Sequence, residues 1–140
     1  YHEGRYDRAL RELQPLSERG HAGAEFMLGT MYFWGRGVGR NDSVAAIWFF
    51  KAASQGDPRA QLAFGSMHIR GIGVGQDLVA AYSWLSLVMR SSIPTLVQKA
   101  TKLRDEAARL MTPQEIETAR ARIADWSPTP AGLTRWRFSH

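Results

Sequence analysis

The four histidines, His2, His21, His68 and His140, are the first residues to test for chemistry. None forms the helical two-histidine motif of zinc hydrolases. His68 reads either as a packed or capping imidazole or as a functional one. The runs Gly35-Arg36-Gly37-Val38-Gly39 and Gly71-Ile72-Gly73-Val74-Gly75 superficially look like phosphate-cradling loops. Such a loop follows a strand and ends in Gly-Lys-Ser/Thr, and these runs do neither, so nucleotide binding is not expected. Ser43, Ser54, Ser66 and Ser83 lack the strand-to-helix elbow that exposes a serine nucleophile. Cysteine is absent, which removes disulfides, thiolate nucleophiles and thiolate metal ligands. The carboxylates are scattered. Glu25 is expected on an exposed helix face, and Gln61 at the equivalent place further on speaks against a shared acid–base role. Asp105 and Glu106, flanked by Arg104 and Arg109, read as surface ion pairs. No metal or cofactor is expected to be needed for folding.

The elements that position these residues come from an internal repeat. Shifting the 140-residue chain by 36 aligns Gly20 with Gly56, Ala24 with Ala60 and Gly29 with Gly65. It superposes the two glycine runs and pairs Ala45 with Ala81 and Trp48 with Trp84. Ala9 precedes Ala45 by the same interval. Periods of 20 to 50 residues are the signature of solenoids. Within each unit, apolar residues such as Ala24, Leu28, Met31 and Tyr32, then Ala45, Trp48, Phe49, Ala52 and Ala53, recur at three- and four-residue steps. That spacing fits helices and excludes alternating strands.

Helices are predicted near 5–18, 22–34, 42–54, 58–70, 78–90, 94–111 and 113–126. Gly35 stands where a helix ends in a left-handed residue. Asn41, Asp42 or Ser43 can cap the next helix, as Asp77 can in the following unit, and Asp57-Pro58 starts another. Gly29 and Gly65 fall inside helices, where glycine costs roughly 1 kcal/mol relative to alanine. A cost repeated at one position implies a repeated benefit, close approach of the partner helix, with Ala45 and Ala81 as the expected flat surface. Trp48 and Trp84 are assigned to the core.

The first full unit carries Ala22, Ala24, Leu28, Gly29, Tyr32, Gly35, Gly37, Val38, Asp42, Ala45, Trp48, Lys51, Ala52, Ala53 and Gly56. This pattern resembles the Sel-one-like repeat family, relatives of the tetratricopeptide repeats. The second unit keeps Ala60, Gly65, Gly71, Gly73, Val74, Asp77, Ala81 and Trp84. It departs at Phe64, at His68 in the tyrosine slot, and at Leu87-Val88-Met89 in place of Lys-Ala-Ala. The resemblance implies an all-α fold, a right-handed α/α superhelical solenoid of helix pairs with a C-terminal capping pair. The expected organisation is a solenoid over 1–126, with a half repeat at 5–20, repeats at 21–56 and 57–92, and capping helices at 93–126. There Thr101 and Arg104 stand in the glycine and tyrosine slots. Residues 127–140, with Pro128, Pro130 and Gly132, read as a tail.

The resemblance implies protein–protein interaction without choosing the partner, and leans towards a bacterial periplasm or envelope over the cytoplasm. In related solenoids the first helices line a concave groove. Counting from Gly29 places Gly23, Thr30, Phe33 and Trp34 there, with Arg59, Ser66, Ile69 and Arg70 at the same offsets in the next unit. Phe33, Trp34, Ile69 and Arg70 occupy variable slots, so they are either local packing or ligand contacts. Read as contacts, they suit an extended or helical protein segment bearing acidic groups. The net charge of +5 points the same way, although many bases sit beside acids, as Arg8 does with Glu12. With barely three repeats, weak affinity is expected unless further repeats precede residue 1.

Two other classes stand beside the scaffold. A cell-wall glycan-binding module would show exposed aromatics in the groove. A cell-wall or β-lactam-processing enzyme would need a clustered nucleophile and base that the sequence does not show. Nucleic-acid binding has only Arg135-Trp136-Arg137-Phe138 behind it, a basic and aromatic cluster of the kind found in single-stranded nucleic-acid or membrane-surface contacts, which reads first as a loose end or a strand packing back. There is no apolar run long enough for a membrane span and no signal segment. The chain, patterned from Tyr1 onward, reads as a mature form or an excised fragment.

Overall fold

A computed structural model describes residues 2–130. The basic and aromatic cluster at 135–138 therefore lies outside the described residues. Seven helices follow in order: α1 (His2–Glu18), α2 (Ala22–Trp34), α3 (Asp42–Ser54), α4 (Pro58–Arg70), α5 (Leu78–Val88), α6 (Pro94–Ala108) and α7 (Pro113–Asp125). No strand occurs among the described residues.

Local chemistry sets the helix ends. The Asn41 side chain accepts from the Val44 N–H at 3.1 Å, and the Asp77 carboxylate from the Ala80 N–H at 3.0 Å. Asp57 accepts from the Arg59 and Ala60 N–H groups, and Pro58 opens α4 where no donor is needed. His21 caps α2 through Nδ1, which accepts from the Ala24 N–H. Thr112 and Glu115 form a reciprocal capping box at α7. Gly35 and Gly71 end α2 and α4 with φ of 65° and 66°, and their N–H groups return to the Met31 and Met67 carbonyls. A side chain there would be strained, which explains glycine at both stops.

Each helix packs on its neighbour: α2 with α3, α3 with α4, α4 with α5, α5 with α6, while α7 lies against α5. The architecture is an all-α helical repeat solenoid. Its core is small-residue rich. Ala45, Ala46, Phe49, Phe64 and Met67 form one cluster, and Ile69, Ala81, Leu85, Val88, Ala100 and Ala107 another.

The mid-helix glycines permit the close approach expected of them, against a larger side chain one turn past the expected alanine and, at Gly65, against the Ala81 carbonyl as well. A Cβ on Gly29 would stand 2.7 Å from the Phe49 ring, and one on Gly65 would stand 2.9 Å from Leu85 Cγ. Phe49 and Leu85 lie one turn beyond Ala45 and Ala81, and α3 and α5 meet their partners there.

Of the two repeat tryptophans, Trp48 departs from the core assignment, while Trp84 packs half-buried against the core. Trp48 is half-exposed, with the Lys51 ammonium 4.7 Å from its ring centre. Trp84 is half-buried and stands edge-to-face to Phe50, Phe64 and Trp126. The repeat slot delivers both indoles to the outer edge of the second helix, and only Trp84 has further elements to cover it.

Candidate functional site

The surface examined for function is built from the first helices of successive pairs. In α2, Ala24, Glu25, Leu28, Gly29 and Met31 form the buried side. In α4 the buried stripe is Ala60, Phe64, Met67 and Ile69. The two helices lie near enough for the Arg59 guanidinium of α4 to sit 4.4 Å from the ring centre of Phe26 in α2.

Of the residues expected to line the groove, the seven other than Gly23 have different environments. Trp34 is 62% exposed at the end of α2, and Arg70 is exposed at the matching end of α4. Arg70 makes no ion pair among the described residues. Phe33 is half-buried against the α3–α4 core, meets Trp34 edge-on at 5.1 Å, and carries the Arg40 guanidinium 5.8 Å from its ring centre. Arg59 is exposed but engaged: it pairs with Asp57 at 3.1 Å as well as stacking on Phe26. A pairing at hand lowers what Arg59 gains from an incoming carboxylate.

Thr30 and Ser66 are half-buried, and each donates its hydroxyl hydrogen back along its helix, to the Phe26 and Leu62 carbonyls respectively. Both can still accept, but neither has a donor in hand. Ile69 corrects the groove reading. At 7% exposure it belongs to the core shared with α5 and α6, because its helix face turns to Leu85 and Ala100. It supplies packing and not contact area.

Met27 was missed. It is 45% exposed and precedes Trp34 by seven residues, so the two share one side of α2. Its signal in the sequence is its place off the Ala24, Leu28 and Met31 stripe. On α6, Lys99 and Lys102 are exposed as well. Exposed apolar side chains thus stand on α2 and exposed cations on α4 and α6.

Glu25 also corrects its expectation. It is 3% exposed and accepts from the Gln55 side chain. Burial pushes its carboxyl up to about 7, against an opposing pull from Lys51 and the Gln55 hydrogen bond. His68 is held by packing: its ring meets Phe64 edge-on at 4.6 Å, and Nδ1 lies 3.3 Å from the Gly75 carbonyl. Among the described residues, no group of three or more His, Asp or Glu is placed to hold a metal, and no helix is long and apolar enough to cross a membrane.

Comparison with known proteins now bears on this geometry. A search of curated proteins found no match. In structure, the chain is similar to a protective antigen of uropathogenic Escherichia coli with an SLR fold, at a TM-score of 0.75 and 24% identity. That match covers 94% of this chain and 31% of the antigen. It is also similar to a Sel1 repeat protein from Oxalobacter formigenes, at a TM-score of 0.56 and 38% identity, over 60% of this chain and 24% of that one. The chain therefore spans less than a third of either structure. The Sel1 repeat model matches residues 22–57 and 58–87, the two segments that hold the capped helix pairs α2–α3 and α4–α5. Residues 22–57 and 58–87 are Sel1-like repeats.

Proposed function

We propose that this chain is a non-catalytic interaction scaffold, and that its first-helix face holds a protein segment with both apolar and acidic side chains. The observation that carries the reading is that Met27 and Trp34 on α2 and Arg70 on the next first helix are all exposed, with Arg70 in no ion pair among the described residues. Exposed large apolar side chains beside an uncommitted guanidinium favour a ligand that buries one and answers the other. Thr30, Phe33, Arg59 and Ser66 complete the patch, with Arg59 partly engaged by Asp57. Lys99 and Lys102 extend its positive side.

The test is selection from a random peptide library on the immobilised chain. Enriched peptides should combine a large apolar residue with Asp or Glu. Trp34→Ser with Arg70→Glu should abolish their capture and leave Tm within about 2 °C, because both side chains are exposed. Enrichment without acidic residues, or full capture by the folded double variant, would remove the assignment.

A glycan-binding reading is favoured by one observation, the exposed indole of Trp34. It separates cleanly. Binding of cell-wall oligosaccharides would be lost with Trp34→Ala and would not respond to Arg70→Glu.

A further inference from the structure

A separate feature is built where the first helix α4 meets α3, α5 and α7. α7 lies back against α5, and a cleft of about 620 Å³ opens between α3, α4, α5 and α7. Phe64, almost fully buried, lies deepest, and Phe50, Trp84 and Trp126 supply the other rings. Trp84 is the hub: it stands edge-to-face to Phe50 at 6.3 Å, Phe64 at 5.7 Å and Trp126 at 6.4 Å. Trp84 and Trp126 are each only half-buried, so apolar ring surface remains open in the cleft. A volume of this size lies in the range of ligand pockets, and such aromatic lining is their usual character.

The polar groups of the cleft are mostly committed. Ser83 donates to the Val79 carbonyl, Gln76 to the Ile69 carbonyl, and the Asp77 carboxylate caps α5 through the Ala80 N–H. Arg122 on α7 is different. It lines the cleft, is half-exposed, and makes neither an ion pair nor a side-chain hydrogen bond among the described residues. An aromatic cleft with one uncommitted guanidinium is complementary to an apolar group and a carboxylate held close together. A protein C-terminus ending in an aromatic or large aliphatic residue offers both on a single residue. The guanidinium can grip its carboxylate through two parallel hydrogen bonds.

We propose that the cleft between α3, α4, α5 and α7 binds the C-terminal residue of a partner protein, its side chain against Trp84 and Trp126 and its terminal carboxylate on Arg122. This site shares no residue with the first-helix patch, so either can fail alone.

The experiment titrates the full chain with acetyl-Gly-Ser-Gly-Phe, once as the free acid and once as the C-terminal amide, followed by calorimetry and indole fluorescence. The free acid should bind. The amide should bind about tenfold more weakly or worse, since a charge-assisted pair is lost. Arg122→Gln should impose a similar loss on the free acid and none on the amide, with an unchanged Tm. Trp126→Ala should weaken both peptides. Equal binding of acid and amide, or wild-type affinity in Arg122→Gln, would overturn the proposal. So would no binding at millimolar peptide. Binding that emerges only after deletion of residues 131–140 would also overturn it, and would give the cleft to the chain's own end.

Discussion

Glu25 and Gln61 occupy the same slot of the first helix in the two Sel1 repeats, and each is 3% exposed. Gln61 donates to the Ala53 carbonyl at 3.2 Å and carries no charge to desolvate. Glu25 accepts from Gln55 and has its carboxyl raised to about 7 by burial. The slot accepts a polar side chain in both repeats, but only the first repeat makes that side chain titratable. Trp48 and Trp84 differ in a second way. The side chains share a slot, yet Trp48 ends under a lysine at the surface while Trp84 joins an aromatic cluster closed by Trp126 of α7. Equivalent positions in this solenoid thus share backbone, and differ in whatever the next element brings.

The largest expected effect tests the part of the comparison where the repeats agree. Gly65→Leu places a side chain where even a Cβ would stand 2.9 Å from Leu85 Cγ and 3.4 Å from the Ala81 carbonyl. Overpacking of this kind should cost about 3 kcal/mol or more and lower Tm by roughly 10 °C. A thermal melt unchanged within error would show that the helix pair does not depend on the approach.

The next effect separates the repeats by pH. Glu25 has a folded pKa above its unfolded value, so the native state holds the extra proton between about 4.5 and 7. Stability contributed by the neutral form is complete below the unfolded value and is lost as pH rises through about 7. The difference in stability across that window is about 3 kcal/mol. Glu25→Gln should therefore be close to neutral at pH 4.5 and stabilising by up to that amount at pH 8, as read from urea denaturation at the two pH values. Gln61→Glu should transfer the same dependence to the second repeat. An identical pH profile for wild type and Glu25→Gln would mean that the carboxyl is solvated.

The smallest effect concerns the tryptophans. Trp84→Ala removes a ring in contact with three others and should cost about 2–3 kcal/mol, below the value for a fully buried indole. Trp48→Ala should cost about 1 kcal/mol, since it loses mainly a partly exposed ring and one cation–π contact. Equal losses for the two would restore the simple repeat reading, in which the slot alone determines the energy.

Helix bounds and caps were legible because they depend on residues a few positions apart. Asn41, Asp57, Asp77, Gly35 and Gly71 act on their own backbone neighbours, so a linear pattern contains the whole interaction. Of the candidate surface, Trp34 and Arg70 were legible for a similar reason: both stand off the buried stripe of their helix. Ile69 was misread because its burial depends on α5 and α6, which begin eight or more residues later in the chain. Glu25 was misread as exposed because Gln55 and Lys51, its partners, come from the following helix.

By itself, then, the amino-acid sequence determined the repeat, the helices and their stops, since apolar periodicity and capping chemistry are local. The environment of each outward side chain was decided by tertiary structure alone. The aromatic cleft is the clearest instance: Phe50, Phe64, Trp84 and Trp126 span four elements, and they meet because α7 lies back against α5. Which helix face α7 covers depends on the shape of the surface that the earlier helices have already built, and no spacing within the chain encodes that contact directly.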